Sequence, residues 1–186
     1  MIKKYQLNLE TVHLAIRSFH VHGEYNNSGE HQTIKITYGY SRDHRPDLKQ
    51  FLMELICTND GDLPLWMNIC DGNESAQKQF GGAMIEFKKQ LQFDSLMVAD
   101  SAFYTQKNLQ IVNKLKWLSR VPLTVKAATV LVNSVESKDL IISKIPGYNY
   151  VEIKKNYAAV EQRWLLVESQ KRRESDLKNL EKRIHP

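Results

Sequence analysis

The strongest constraint on how this chain folds is the alternation of apolar and polar side chains from Thr11 to Val21. A period of two is typical of a half-buried β-strand. Two further apolar runs, Lys49 to Thr58 and Leu63 to Cys70, are separated by Asn59 to Asp62, whose Asp-Gly pair supplies the positive-φ residues of a tight hairpin turn. The first part of the chain therefore predicts three strands in an antiparallel meander.

Helical spacing replaces this alternation further along the chain. Ser75 to Leu91 repeats large apolar residues every three or four positions, and its serine can cap the first turn. A short strand is predicted at Ser95 to Ala99, a second helix around Leu109 to Leu115 and another brief strand at Trp117 to Val121. The order β-β-β-α-β-α-β predicts an α/β fold with a mixed sheet flanked by helices, the outline of an RNase H-like fold, although several other α/β folds share that order.

The other segments give weaker signals. Thr33 to Tyr38 predicts a short strand that leads into a loop, and Leu123 to Ser137 predicts a helix. Gly147 to Ile153 and Arg163 to Glu168 predict two strands of a second, β-containing unit. From Ser169 onward the chain is rich in charge and carries one narrow apolar stripe, which predicts an exposed helix.

The net charge of +5 is distributed unevenly. Residues 1–100 carry 10 Lys and Arg against 13 Asp and Glu, whereas residues 101–186 carry 16 against 8. A basic half favours a polyanionic partner, because each phosphate that Lys or Arg neutralises releases condensed counterions. A solvated basic face without any partner would give the same composition.

Cysteine content and hydropathy restrict the cellular setting. Cys57 and Cys70 are too few for a disulfide framework and form no CxxC pair, so both are expected to be buried and reduced. No run of about 18 apolar residues exists, and the N-terminus lacks the apolar stretch of a signal peptide. These features predict a cytoplasmic protein without a membrane partner, associated with the nucleoid if it binds DNA.

Asp100 is the first candidate for chemistry, because it follows a predicted apolar strand. A carboxylate in this position can project into the crevice at the edge of a sheet and hold a divalent metal. An aspartate there is also a common turn residue or helix cap. His20 and His22 share a face at period two, but no third ligand is placed by the sequence, and we interpret them as half-buried sheet histidines rather than metal ligands.

Several strings along the chain together resemble one family, the bacterial insertion-sequence transposases of the DDE class that carry an inserted β-subdomain. The most specific string is Gly39 to Gln50, with the sequence GYSRDHRPDLKQ. The others match in register: Ser18 to Asn26, Pro64-Leu65, Gly72-Asn73, Val98 to Ser101 and Gln162 to Leu165. The resemblance implies a partial RNase H-like core over residues 1–122. It also implies part of an inserted β-rich subdomain and a charged C-terminal helix over residues 123–186.

The family's chemistry requires three carboxylates that hold two Mg²⁺ or Mn²⁺ ions at a phosphodiester. The resemblance assigns the second carboxylate, and with it metal binding, to Asp100, but it assigns the first to Ala15, whose methyl group cannot ligate a metal. It places the third, a glutamate, beyond residue 186. We therefore expect no stably bound metal and no catalysis. Other carboxylates that could substitute have ordinary interpretations as turn or surface residues: Asp43, Asp47, Asp71, Glu161 and Glu168.

Basic residues suggest where DNA phosphates would lie. One candidate group precedes the second strand, and a charged surface loop is the alternative interpretation: Arg42, Arg45 and Lys49. A second group makes the second unit basic: Lys154, Lys155, Arg163, Lys171, Arg172 and Arg173. Tyr157 and Trp164 add aromatic faces that pack either on DNA or on the core.

Three functional hypotheses remain open at the level of sequence. The first is a transposase-family protein for DNA transposition that retains the fold but lacks catalytic power. The second is a non-catalytic DNA-binding protein that occupies terminal inverted repeats or inhibits full-length transposase. The third is an active RNase H-like nuclease with a different carboxylate set, which requires a carboxylate near Ala15 in space.

Overall fold

A computed structural model describes residues 2–25, 34–41, 43–91 and 94–184, with the backbone alone for residues 2, 3 and 76–78. The chain forms two compact units, Met1–Val121 and Pro122–Pro186. The first unit contains a five-stranded mixed sheet flanked by helices. Its strands are β1 (Thr11–Val21), β2 (Lys49–Thr58), β3 (Pro64–Cys70), β4 (Leu96–Ala99) and β5 (Trp117–Ser119).

The strand order is β3-β2-β1-β4-β5. The first three strands form the predicted antiparallel meander, whereas β4 runs parallel to β1, and β5 runs parallel to β4. Parallel neighbours need crossover connections, which here contain the helices α2 (Ala76–Leu91) and α3 (Gln106–Ile111). A four-residue helix α1 (Ile2–Tyr5) precedes the sheet and was not predicted. This topology is compatible with an RNase H-like fold.

One face of the sheet carries the core of the first unit. Val12, Leu14 and Ile16 are at most 5% exposed, whereas the residues between them on β1 are exposed. Large apolar side chains from the helical segments complete this core, and each of them is at most 1% exposed: Phe80, Met84, Phe87, Phe103 and Leu109. We call this side the core face and the other side the outer face.

The segment before β2 packs onto the sheet through two glycines. A Cβ atom on Gly72 would lie 1.8 Å from the backbone oxygen of Gln50, and one on Gly39 would lie 1.9 Å from the oxygen of Gly72. Gln50 reinforces the contact, because its Nε2 donates to the oxygens of Gly72 at 2.7 Å and Tyr40 at 3.2 Å. The strand predicted at residues 33–38 is only a bridge between Thr37 and Gln50, and its first residue lies outside the described residues.

The second unit is built on a long hairpin. Strands β7 (Tyr148–Tyr157) and β8 (Val160–Ser169) are longer than predicted, and the two-residue β6 (Ile141–Ile142) pairs with β7. The unit also contains α4 (Lys126–Ser134) and the predicted helical tail α5 (Gln170–Ile184), none of whose residues is buried. Trp164 is 5% exposed, so its ring belongs to the core of this unit.

Some predicted boundaries were wrong. The second helix ends at Ile111 rather than near Leu115, and β5 ends at Ser119 rather than Val121. Cys57 is half-buried instead of buried, while Cys70 is buried as expected, and both thiols are free. Burial raises the pKa of Cys70 to about 12, so its thiol stays protonated at neutral pH.

Candidate functional site

Ala15, in the middle of β1, lies next to Asp100, which follows the end of the parallel strand β4. Leu14 on β1 pairs with Ala99 on β4, so Ala15 and Asp100 are the next positions in register. Leu14 and Ala99 are buried on the core face, and successive residues of extended backbone point to opposite faces. Ala15 and Asp100 are both exposed and belong to the outer face. The sequence expectation that these positions share one crevice agrees with this register.

The side chain of Asp100 has a structural contact of its own. Its Oδ1 accepts a hydrogen bond from the backbone N–H of Ala102 at 2.8 Å and caps the 3₁₀ turn Ser101–Phe103. The hydroxyl of Ser119 donates to the backbone oxygen of Asp100 at 2.9 Å. The capping role that the sequence left open is therefore present. It does not exclude a second ligand, because a carboxylate has about four acceptor positions.

Two arginines lie on the strands next to Ala15 and Asp100. Arg17 follows Ala15 by two residues on the outer face of β1. Arg120 follows Ser119, which pairs with Ala99, so Arg120 is next in register to Asp100. Both arginines are exposed, and positive charge on the neighbouring strands makes this part of the sheet less favourable for a divalent cation.

The residues present do not fit the two-metal centre that the resemblance implies. Ala15 offers no ligand atom, and Asp100 is a single carboxylate. Among the described residues, no group of three or more His, Cys, Asp or Glu side chains is arranged to hold a metal ion. No reaction step is therefore assigned to a metal at this crevice.

Most carboxylates considered as substitutes have structural partners. The Oδ1 of Asp71 accepts from the backbone N–H of Lys35 at 2.7 Å. Glu168 accepts from the side-chain amide of Asn149 at 2.9 Å. Asp43 and Asp47 belong to the loop before β2, where each pairs with a neighbouring basic side chain. Glu161 lies on β8 in the second unit and is exposed.

The loop before β2 is held by a polar chain that begins on β1. The Nε2 of His20 lies 3.0 Å from the hydroxyl of Ser41, and its Nδ1 lies 3.6 Å from the carboxylate of Asp43. This trio resembles the arrangement of a serine nucleophile with its base. However, the Ser41 oxygen also accepts from the backbone N–H of Arg45 at 2.8 Å. The trio therefore braces the loop against β1 and gives Ser41 and Asp43 a structural role in this string.

The first group of candidate DNA-binding residues is largely engaged within the chain. Arg45 donates two hydrogen bonds to Asp47, at 2.9 and 2.7 Å, and this bidentate contact lowers the pKa of Asp47 to about 2. The ammonium of Lys49 donates to the backbone oxygens of Glu24 and Tyr25. Arg42 lies outside the described residues.

The arginines of the second group are paired too. Arg163 donates two hydrogen bonds to Glu152 across the hairpin, at 3.0 and 2.9 Å. On α5, Arg172 pairs with Asp176 at 2.9 Å, and Arg173 lies 3.8 Å from Glu168. All three arginines are exposed, and such pairs are weak enough to exchange for a phosphate.

The lysines of this second group differ from its arginines in their pairing. Within the part of the chain that the structure describes, no ion pair involves Lys154, Lys155 or Lys171. All three are exposed, so their charge is available to a polyanion. The indole of Trp164 donates to the side-chain oxygen of Gln162 at 2.9 Å within the core, which removes this ring from the candidates for base stacking.

Sequence reasoning missed one polar group in the first unit. Glu54 occupies an inward position of β2 between Leu52 and Ile56, and it is only 2% exposed. Burial raises the pKa of its carboxyl, while a hydrogen bond from Asn68 lowers it in part. The signal in the sequence is a single carboxylate at one of the alternating positions of a strand that are otherwise apolar. The prediction of the hairpin did not take this carboxylate into account.

Comparisons with known proteins give a limited result. No family model matches the chain, and no curated protein matches it either. A solved structure that is distantly similar is the "Mos1 transposase paired-end complex with left transposon end", with 12% sequence identity and a TM-score of 0.39. The match covers 63% of this chain and 37% of that chain, so the present chain spans well under half of its length. Among the described helices, none is long and apolar enough to cross a bilayer.

Proposed function

We propose that this chain is a transposase-related DNA-binding protein whose catalytic crevice lacks the means to hold metal ions. Under this proposal, residues 1–122 form a partial RNase H-like core. Residues 123–186 form part of an inserted β-rich subdomain and a charged helix. Its partner is duplex DNA, including the terminal inverted repeats of an insertion sequence. Its contact with phosphate uses the basic residues of the second unit.

The single observation that carries this proposal is the register between β1 and β4. It makes Ala15 and Asp100 neighbours on adjacent strands and on the same face of the sheet, and these are the positions to which the resemblance assigns the first two carboxylates. A chance aspartate at a strand end has no reason to lie beside the position that the resemblance names. The alanine at the first position supports loss of catalysis, and the exposed Arg17 on β1 and Arg120 after β5 support retention of affinity for phosphate.

A strand-cleavage assay tests the catalytic half of the proposal. Purified chain, supercoiled plasmid and Mg²⁺ or Mn²⁺ should give neither nicking nor joining. Ala15→Asp alone should not restore cleavage, because two carboxylates supply too little negative charge to hold two divalent ions about 4 Å apart. Metal-dependent cleavage by the unaltered chain that disappears in Asp100→Ala would overturn the proposal.

A second candidate function is pairing with a full-length transposase. The observation that favours it is the apolar character of the outer face, where Phe19, Met67 and Leu118 are 41%, 60% and 56% exposed. Sheets that are apolar on both faces are usually covered on both. Sedimentation of the chain with and without a full-length transposase tests this candidate, and unchanged sedimentation of the mixture removes it.

A further inference from the structure

A cleft of about 340 Å³ lies between α2 and the edge strand β3 in the first unit. Glu54 lines it, and its Oε2 accepts a hydrogen bond from the Nδ2 of Asn68 at 2.9 Å. Its Oε1 is shielded from solvent and meets no hydrogen-bond partner by geometry among the described residues. Beyond Asn68, the thiol of Cys70 also interacts with this carboxyl, but a thiol is a weak donor. A buried carboxylate oxygen without a strong donor is costly, so this atom indicates a donor that a ligand would bring.

The amides around the cleft turn their nitrogen atoms away from such a ligand. The Nδ2 of Asn68 donates hydrogen bonds to Glu54 and to the sulfur of Cys70. The Nε2 of Gln90 donates to Glu86 at 3.1 Å. The Nε2 of Gln79 donates to Glu74, which does not line the cleft. Carboxylates only accept hydrogen bonds, so their contacts fix which end of each amide is the donor.

The polar atoms left for a ligand are therefore mainly acceptors. They are the carboxylates of Glu54 and Glu86 and the three amide oxygens of Asn68, Gln79 and Gln90. Lys89 lies 4.0 Å from Glu86, but both side chains are exposed, so the lysine neutralises little of the cleft's charge. Trp66 adds an aromatic face to the lining.

We propose that this cleft binds a guanidinium group, presented either by a small alkylguanidine or by an arginine side chain. A guanidinium is a planar fork of five donors that pairs with a carboxylate and stacks on an aromatic ring, which matches acceptors grouped around Glu54 and Trp66. An ammonium is more strongly hydrated and cannot stack in this way. The site is independent of the proposed DNA contacts, because its carboxylates repel phosphate.

Two variants of the full chain test the site. Glu54→Gln keeps the shape of the side chain and removes its charge. Gly82→Leu fills the cleft, since Gly82 lines it and a Cβ added there meets nothing within 4 Å. Gly82 lies inside α2, where leucine has the higher helix propensity, so this variant should fold even if Glu54→Gln does not.

The probe is ethylguanidinium, titrated while NMR follows the indole N–H of Trp66 and the amide of Gly82. We expect saturable shifts, at least about tenfold weaker affinity for ethylammonium, a similar loss in Glu54→Gln and no saturation in Gly82→Leu. Tighter binding of capped arginine amide than of ethylguanidinium would indicate a protein-borne group, and equal binding would indicate a free guanidine. Absence of saturation at about 50 mM probe, or equal shifts in the wild type and both variants, would overturn the proposal.

Discussion

At the scale of single residues, three glycines of the first unit meet different physical demands. Gly72 leaves no room for a Cβ, which would lie 1.8 Å from a backbone oxygen. Gly61 has open space around it but a φ of +81°, which L side chains adopt at a cost. Gly82 has open space and lies within α2, so nothing in its surroundings requires glycine.

Alanine at these three positions should therefore change the free energy of unfolding in three ways. Gly72→Ala should lower it by at least about 2 kcal/mol, because backbone must shift. Gly61→Ala should lower it by about 1 kcal/mol from strain alone, and Gly82→Ala should raise it by about 0.5–1 kcal/mol through helix propensity. Urea unfolding measures the order of stability of the three variants. A Gly72→Ala variant as stable as Gly82→Ala would contradict the close packing of the segment before β2 onto Gly72.

Glu54 provides a prediction about pH. Burial raises the pKa of its carboxyl in the folded state above the unfolded value of about 4.5. As pH rises past that value, the unfolded chain loses this proton first, so stability falls until the folded pKa is reached, by at most about 1.4 kcal/mol per pH unit. Glu54→Gln should remove this decline and gain stability relative to wild type as pH rises above the unfolded value.

Urea unfolding across that pH range measures the decline, with Glu10→Gln as the control because Glu10 is exposed in the same unit. The control should follow the wild-type profile. A Glu54→Gln profile parallel to wild type throughout would mean that the carboxyl is not perturbed by burial.

At the scale of elements, the hairpin turn between β7 and β8 has no recognisable signature. Tyr157 pairs with Val160, so the loop consists of Ala158 and Ala159, with φ values of +57° and +59°. Two positive φ values are typical of a type I′ turn, for which Asn-Gly is the favoured pair. Alanine carries a Cβ penalty at both positions, so the long pairing of the strands must hold this turn in place.

The double variant Ala158→Asn, Ala159→Gly should stabilise the second unit by about 1–2 kcal/mol, because it removes most of that penalty. Thermal and urea unfolding measure the gain. Ala127→Gly on the exposed side of α4 is the matched control and should cost about 1 kcal/mol. Loss of stability in the double variant would show that the loop has another conformation.

The elements that the sequence predicted well are those whose period is enforced by one buried face. The alternation of β1 and the helical repeat of Phe80, Met84 and Phe87 are direct consequences of packing on the core face. The short α1 and β6 were missed because two to four residues cannot show a period. The ends of α3 and β5 depend on tertiary contacts rather than on local preference.

The candidate crevice was predictable in part for the same reason. The position of Asp100 at a strand end follows from the apolar run before it. The proximity of Arg120 requires the register between β4 and β5, which no local pattern encodes. The cleft at Glu54 requires α2 to pack across β2 and β3, so only the tertiary structure brings its acceptors together.

At the scale of the whole molecule, the net charge differs between the two units. The first, residues 1–121, carries 14 Lys and Arg against 13 Asp and Glu, whereas the second, residues 122–186, carries 12 against 8. Many of its side chains are exposed, including Lys154 and Lys155 on β7 and Lys171 on α5. The exposed ion pairs on α5 are worth at most about 1 kcal/mol each, so a phosphate can replace their carboxylates at little cost. The distribution of charge therefore favours contact with a polyanion through the second unit rather than the first.

We accordingly predict weak, largely sequence-independent binding of the full chain to duplex DNA. If about four to six Lys and Arg reach phosphates, log K should fall against log salt with a slope of roughly −4 to −5, measured by fluorescence anisotropy. Neutralising Lys171, Arg172 and Arg173 together should flatten the slope. The matched variant Lys88→Gln, Lys89→Gln on α2 should leave it unchanged, because these residues belong to the acidic part of the chain.

Each outcome of this titration has a distinct physical meaning. An unchanged slope after neutralisation on α5, with binding intact, would move the contact to the loop of Arg45 and Lys49, whose present intramolecular partners would then have to exchange for phosphate. No detectable binding at about 50 mM salt would mean that the basic surface is only solvated. In that case the proposed affinity for DNA is wrong, whereas the pairing of β1 with β4 is unaffected by this result.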